Sequence, residues 1–290
     1  MPVKLETVRS HLTLLFLLPW AAASLGQAAS GTAPAQAREL LDRALATELR
    51  SAQDTSHPMR YRLRKSSPRL TSTKDIVETR DGAVARLVSI NDKPLSQADE
   101  QKEQDRLDAL LADPSRQRHR KQNEDQDTAR ALKVLRVLPN AFLYQFAGTG
   151  AGPSGKVEKF TFRPNPNFTP PDLETQVLTA MTGEIWIDAA QERVTRLEGH
   201  LQKDVAFGWG ILGRLDKGGW IVIEQADVST RQWRIVRFRM VMSGRVLFKT
   251  KSFDTAEEET QFALLPAVLG YQQAIQMLRT AAGDATQARR

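Results

Sequence analysis

The feature that most restricts this chain is its second half, where period-two apolar runs follow one another with only short polar turns between them. Gly183 to Asp188, Arg193 to Leu201, Trp220 to Val228, Gln232 to Met242 and Val246 to Phe253 are rich in β-branched and aromatic residues. Connections this short join antiparallel neighbours, because a parallel crossover needs about a dozen residues or more. The pattern predicts a meander, with Ser243-Gly244 as the turn between the last two runs. Upstream, Phe142 to Phe146 and Val157 to Phe162 flank a Gly/Ser/Pro loop. The prolines of residues 163–171 each remove a ladder donor, which predicts an extended loop there.

The first half mixes periods. Ala37, Leu40, Leu41, Ala44, Leu45 and Leu49 recur at helical spacing and predict a helix from Ala35 to about Arg50. Tyr61 and Leu63 then alternate with arginines, and Lys74 to Arg80 and Ala83 to Ile90 are joined by Asp81-Gly82, a hairpin signal. A charged segment at about 94–139 predicts a helical insertion over one end of the sheet. Ser96 and Asp99 cap it, Leu107, Leu110 and Leu111 give it a short apolar face, and Ala131, Val134, Leu135 and Leu138 form a stripe that Pro139 should stop. Leu264, Val268, Tyr271, Ile275 and Leu278 predict a C-terminal helix. Strands and helices are segregated, so the class is α+β.

Lys4 and Arg9 precede the apolar run Leu12 to Leu18, which continues through Trp20 to Ala23 into small residues. That layout reads residues 1–28 as a secretory signal peptide, cleaved after Gly26 or Ala28. The run is too short for a spanning helix and Pro19 interrupts it, so no transmembrane segment is expected after cleavage. Residues 29–290 read as a single domain. The chain has no cysteine, which excludes a disulfide scaffold, a thiolate metal site and a cysteine nucleophile. An exported chain without cysteine fits a bacterial periplasmic or secreted location. Its net charge of +7 suits anionic surroundings.

Several motifs yield little chemistry. Gly208 to Gly213 matches G-x-G-x-x-G but leads to a turn and a strand rather than a helix, so no cofactor is expected. His57, His119 and His200 lie in unrelated contexts, so no metal site is expected. The basic cluster Arg116 to Lys121 lacks stacking aromatics, and no nucleic-acid partner is expected. Glu184, Asp188, Glu198 and Glu224 lie on or beside strands. They would be the acid and base of a hydrolase, or simply a solvated sheet face paired with Arg193, Arg196 and Arg214.

The large apolar residues offer more. Phe160, Phe162, Trp186, Phe207, Trp209, Trp220, Phe238, Met240, Met242 and Phe248 are the candidate lining of a ligand cavity. Val236, Phe238, Met240 and Met242 share one strand face, and methionine and phenylalanine adapt to varied ligand shapes.

Gly183-Glu-Ile-Trp-Ile-Asp188, the turn Ala189 to Glu192, and Arg193-Val-Thr-Arg-Leu-Glu198 together resemble exported bacterial proteins of the LolA/LolB-like group, including the lipid-sensing domain of RseB-type regulators. In architecture the resemblance covers residues 59–253. It implies an incomplete antiparallel barrel with helices over its opening, holding lipoprotein acyl chains in an apolar cavity. The charged insertion and the glycine-rich run at 207–213 depart from that pattern. The expected fold is thus α+β, a large curved antiparallel sheet or incomplete β-barrel of about ten strands with N-terminal, inserted and C-terminal helices. The expected function is periplasmic binding or carriage of a lipid, a lipoprotein acyl chain or another apolar ligand, without catalysis and with an envelope protein as a further partner. The alternatives are a non-catalytic interaction or signalling module and a carboxylate-dependent envelope hydrolase.

Overall fold

The structure, a computed structural model, describes residues 34–207, 213–246 and 249–287. Helix α1 (Pro34–Ser51) leads into strands β1 (Met59–Ser66), β2 (Thr71–Val77), β3 (Val84–Ile90) and the short β4 (Lys93–Pro94). Helices α2 (Gln97–Ala112) and α3 (Pro114–Ala141) follow, then β5 (Phe142–Gly152), β6 (Gly155–Pro164), α4 (Leu173–Gln176) and a 3-10 turn, Val177–Ala180. Strands β7 (Met181–Asp188), β8 (Arg193–Leu201), β9 (Val205–Phe207), β10 (Gly213–Leu215), β11 (Trp220–Asp227), β12 (Trp233–Val246) and β13 (Lys249–Leu264) precede α5 (Tyr271–Gln287).

All the strands belong to one open sheet, ordered β4-β3-β2-β1-β13-β12-β11-β8-β7-β6-β5, and every pairing is antiparallel. The β9–β10 hairpin extends it by pairing with the far end of β12. The class is α+β, with 13 strands among the described residues. The excess over the sequence-based number comes from β4, β9 and β10, which are too short to show a period.

Four local expectations fail for identifiable reasons. Ser243-Gly244 lies inside β12, paired with Ser252 and Lys251. Glycine serves there because a Cβ at residue 244 would collide with the backbone of Arg214 on the neighbouring β10. Pro139 does not stop α3, which runs on to Ala141. The Gly/Ser/Pro loop after Phe146 is mostly ladder, since β5 and β6 stay paired out to Gly152 and Gly155 across a register shift at Phe146/Gly148. Leu264 ends β13 and Val268 lies in the following loop, so the C-terminal helix begins only at Tyr271.

The buried apolar residues form two clusters, and α3 belongs to the first. The first gathers Leu40, Leu41, Ala44 and Leu45 of α1, Leu138 and Ala141 of α3, and Phe142, Phe160, Phe162, Ile185, Ile187 and Val194 of β5 to β8. The second gathers Val77, Val84, Leu107 and Leu110 with Tyr271, Ala274, Ile275 and Leu278 of α5. A buried ion pair clamps α1 to the sheet. Glu48 accepts hydrogen bonds from Arg193 at 2.8 and 3.1 Å, from the Val194 N–H at 2.9 Å and from Gln225 at 3.1 Å. At its other end α3 is tied to the β2–β3 loop, where Gln117 Nε2 donates to the carbonyls of Asp81 and Gly82.

Candidate functional site

Register determines which side chains share a face. One row across the sheet reads Phe160, Ile185, Leu197, Ile223 and Phe238, and the next reads Phe162, Gly183, Gly199, Ile221 and Met240. This inner face carries the first cluster and looks toward α1 and α3. Strand alternation puts the intervening residues on the opposite face, where Lys159, Trp186, Arg196, Glu224, Arg237 and Glu258 form a row of their own.

The inner face and the helices do not meet everywhere. Between them lies a cavity of about 690 Å³. Val134, Leu135 and Leu138 of α3 form one wall, and Leu173, Val177 and Leu178 around α4 form another. The sheet contributes Phe142, Phe162, Met181, Leu197, Phe207, Leu215, Ile221, Ile223, Met242 and Phe253. Two adjacent glycines help to shape it. A Cβ on Gly183 would strike the Glu198 carbonyl and the Phe162 ring, and one on Gly199 would strike Met181. The bare backbone therefore seats Phe162 and Met181. Beside the cavity Tyr144 donates to the Leu138 carbonyl at 2.9 Å, and burial pushes its hydroxyl pKa up.

Of the candidate lining residues, Phe162, Phe207 and Met242 stand on this wall. Phe238 and Met240 continue the same face beside Ile223 and Ile221, and Phe160 is packed into the first cluster at 2% exposure. Trp186 and Trp220 lie on the opposite face. Lys159 Nζ sits 3.9 Å from the Trp186 ring centre, and the Arg239 guanidinium 5.5 Å from that of Trp220. Trp209 and Phe248 lie outside the described residues. Sequence reasoning passed over Leu197, Ile221 and Ile223, although their parity with Ile185 and Ile187 was the available signal. It also passed over Leu173 to Ala180, where Asp172 and Thr175 make a reciprocal cap.

The carboxylates singled out from sequence are engaged elsewhere. Glu184 accepts from the Trp186 indole at 3.1 Å. Glu224 is shared by Arg196 and Arg237, and Asp188 receives the N–H groups of Ala190 and Gln191 in a turn. Hydrogen bonds from Arg196 and then His200 hold the Glu198 carboxyl below its ordinary pKa, which suits a permanent charge rather than a proton donor. Among the described residues no three His, Asp or Glu side chains are placed to hold a metal ion, and no helix is long and apolar enough to cross a membrane.

No family model matches the chain, and no curated protein matches it. Among solved structures the chain is similar to a domain from Vibrio parahaemolyticus whose name assigns it to outer membrane lipoprotein sorting. The likeness covers 83% of this chain and 99% of that one, at 10% identity and a TM-score of 0.32. A TM-score of that size supports no inference about function, so the cavity alone bears on what the protein does.

Proposed function

We propose that this protein binds an acyl chain or another apolar ligand in the hollow between α3 and the inner face of the sheet, as an exported periplasmic binding or carrier protein of the LolA-like kind. The observation that carries this reading is the cavity of about 690 Å³, walled almost wholly by aliphatic and aromatic side chains. Its volume lies within the range of about 300–1,000 Å³ common for ligand sites. Each methylene buried there contributes about 0.8 kcal/mol, so affinity arises from dry surface without any catalytic constellation. On this reading the apolar stretch after Arg9 serves export, and an envelope protein delivers or receives the cargo.

The test is uptake of cis-parinaric acid, together with native mass spectrometry of protein taken from the periplasm. Saturable fluorescence enhancement and a lipid adduct are expected. Leu197→Trp combined with Ile221→Trp should fill the hollow and abolish uptake while leaving the circular dichroism spectrum unchanged. An apo mass together with no enhancement in the unaltered protein overturns the proposal.

A further inference from the structure

The sheet is open, and its two edges are treated differently. Along β3 and the residue before it, side chains of α2 and α3 take up the outward backbone groups. The Ala83 N–H donates to Glu124 at 2.9 Å and the Leu87 N–H to Glu103 at 2.8 Å, while the carbonyls of Ala83 and Ala85 accept from Arg120 and Arg106. Beyond Leu87 the same side is covered by β4, two residues long and ending in Pro94, which has no N–H to offer.

Strand β5 is the opposite edge and has no such cover. The Asn165 N–H donates to the Ala141 carbonyl, and the register runs unbroken from Phe142/Pro164 to Phe146/Phe160. Alternation therefore points the backbone groups of Leu143 and Gln145 at β6, and those of Tyr144 and Phe146 at the free side. Among the described residues no other element donates to or accepts from these free groups. The strand is nevertheless held in place from within. Tyr144 donates its hydroxyl to the Leu138 carbonyl at 2.9 Å, and the Phe146 ring meets that of Phe160 edge-on at 5.7 Å. Charge does not guard the edge either: residues 142–155 contain no Asp, Glu, Lys or Arg in a chain that is 26% charged. On the face turned away from the hollow, β5 exposes the neutral side chains of Leu143 and Gln145.

We infer that two copies of this chain pair β5 to β5 about a two-fold axis and so join their sheets edge to edge. Tyr144 of each copy exchanges N–H···O=C bonds with its counterpart, and Leu143 of each copy stands across from Gln145 of the other. All pairings within the sheet are antiparallel, and a two-fold axis imposes the same sense on the new one. A neutral strand suits its own copy, because a charge beside the axis would meet a like charge. An extended segment of another protein would have to be selected by side-chain features, and β5 offers no charge for the purpose. With the β3 edge sealed, each chain has one free edge, and association closes at two copies.

The experiment is sedimentation equilibrium of the protein at concentrations up to about 100 µM, where a species of twice the single-chain mass is expected. Leu143→Lys/Gln145→Lys sets two like-charge pairs across the axis and should raise the dissociation constant roughly tenfold. Leu143→Glu/Gln145→Glu should do the same. An equimolar mixture of the two variants should regain the dimer, which general misfolding would not allow. A protein that stays monomeric, a dimer indifferent to the added charges, or a mixture that fails to recover it overturns the inference.

Discussion

The two apolar clusters differ in how completely they are filled. The first borders a hollow of about 690 Å³ with an apolar wall. Beside the second lies one of about 190 Å³, bordered by Arg60, Arg62 and Asp75 as well as Val77 and Leu278. The difference lies in the apposed helix faces. Helix α5 presses Ala274 and Ile275 wholly out of solvent. Val134 and Leu135 of α3 stay only half-buried and look across the gap at a row interrupted by Gly183 and Gly199. Equally greasy residues thus make a packed joint in one place and a receptacle in the other, according to whether side chains interlock.

Substitutions probe that contrast, and the largest effect is expected at the clamp of the hollow half. Glu48→Ala leaves Arg193 buried without its partner and should cost about 3–5 kcal/mol in urea unfolding. In the filled half Ile275→Ala opens a void where none is used, and a loss of about 2–4 kcal/mol is expected in the same measurement. A loss at Ile275 no larger than at the hollow's wall would break the contrast.

Between the two clusters, Glu259 of β13 gives a pH-dependent test. Burial, with the nearby charges of Glu257 and Glu78 and against the pull of Arg234, pushes its pKa up from 4.5 to about 7. The folded chain therefore keeps a proton that the unfolded chain releases near 4.5. Stability falls as pH rises between those values, and the whole cost is present above about pH 7. Glu259→Gln should stabilise the protein by on the order of 2 kcal/mol at alkaline pH, and the gain should fade as pH drops toward the ordinary carboxylate range. A melting-temperature difference that does not change with pH would contradict this. The smallest effect on stability belongs to Leu197→Ala, whose side chain already borders empty space. A cost of about 1 kcal/mol is expected, with a clear loss of parinaric acid affinity.

How far the sequence shows this arrangement depends on the kind of signal. The runs around Ile185, Leu197 and Ile223 announce strands because their alternation is strong, and β8 has the bounds its residues suggest. The antiparallel order of neighbours follows from turn length alone. Which side of the sheet a large residue takes follows from parity, and grouping by size obscured it for Trp186 and Trp220. The acidic continuation of β13 through Glu257, Glu258 and Glu259 has no strand-like composition. It is held by a ladder on both sides and by Lys65, which pairs with Glu257 at 2.6 Å, and these are contacts distant in sequence. The hollow is legible only in part, since a gap depends on how far apart the helices and the sheet stand.

The middle of α3 carries one more consequence. Residues 125–131 are all exposed, roughly two turns of helix or about 10 Å of length between anchored ends. Helix propensity and local pairs such as Arg130 with Asp127 at 2.9 Å are what keep that stretch wound. Its amides should therefore surrender their hydrogens to deuterium well before those of the flanking turns, making this span the fuse in the molecule: the place where the roof of the receptacle parts while its two anchored ends, at Gln117 and at Leu138, hold.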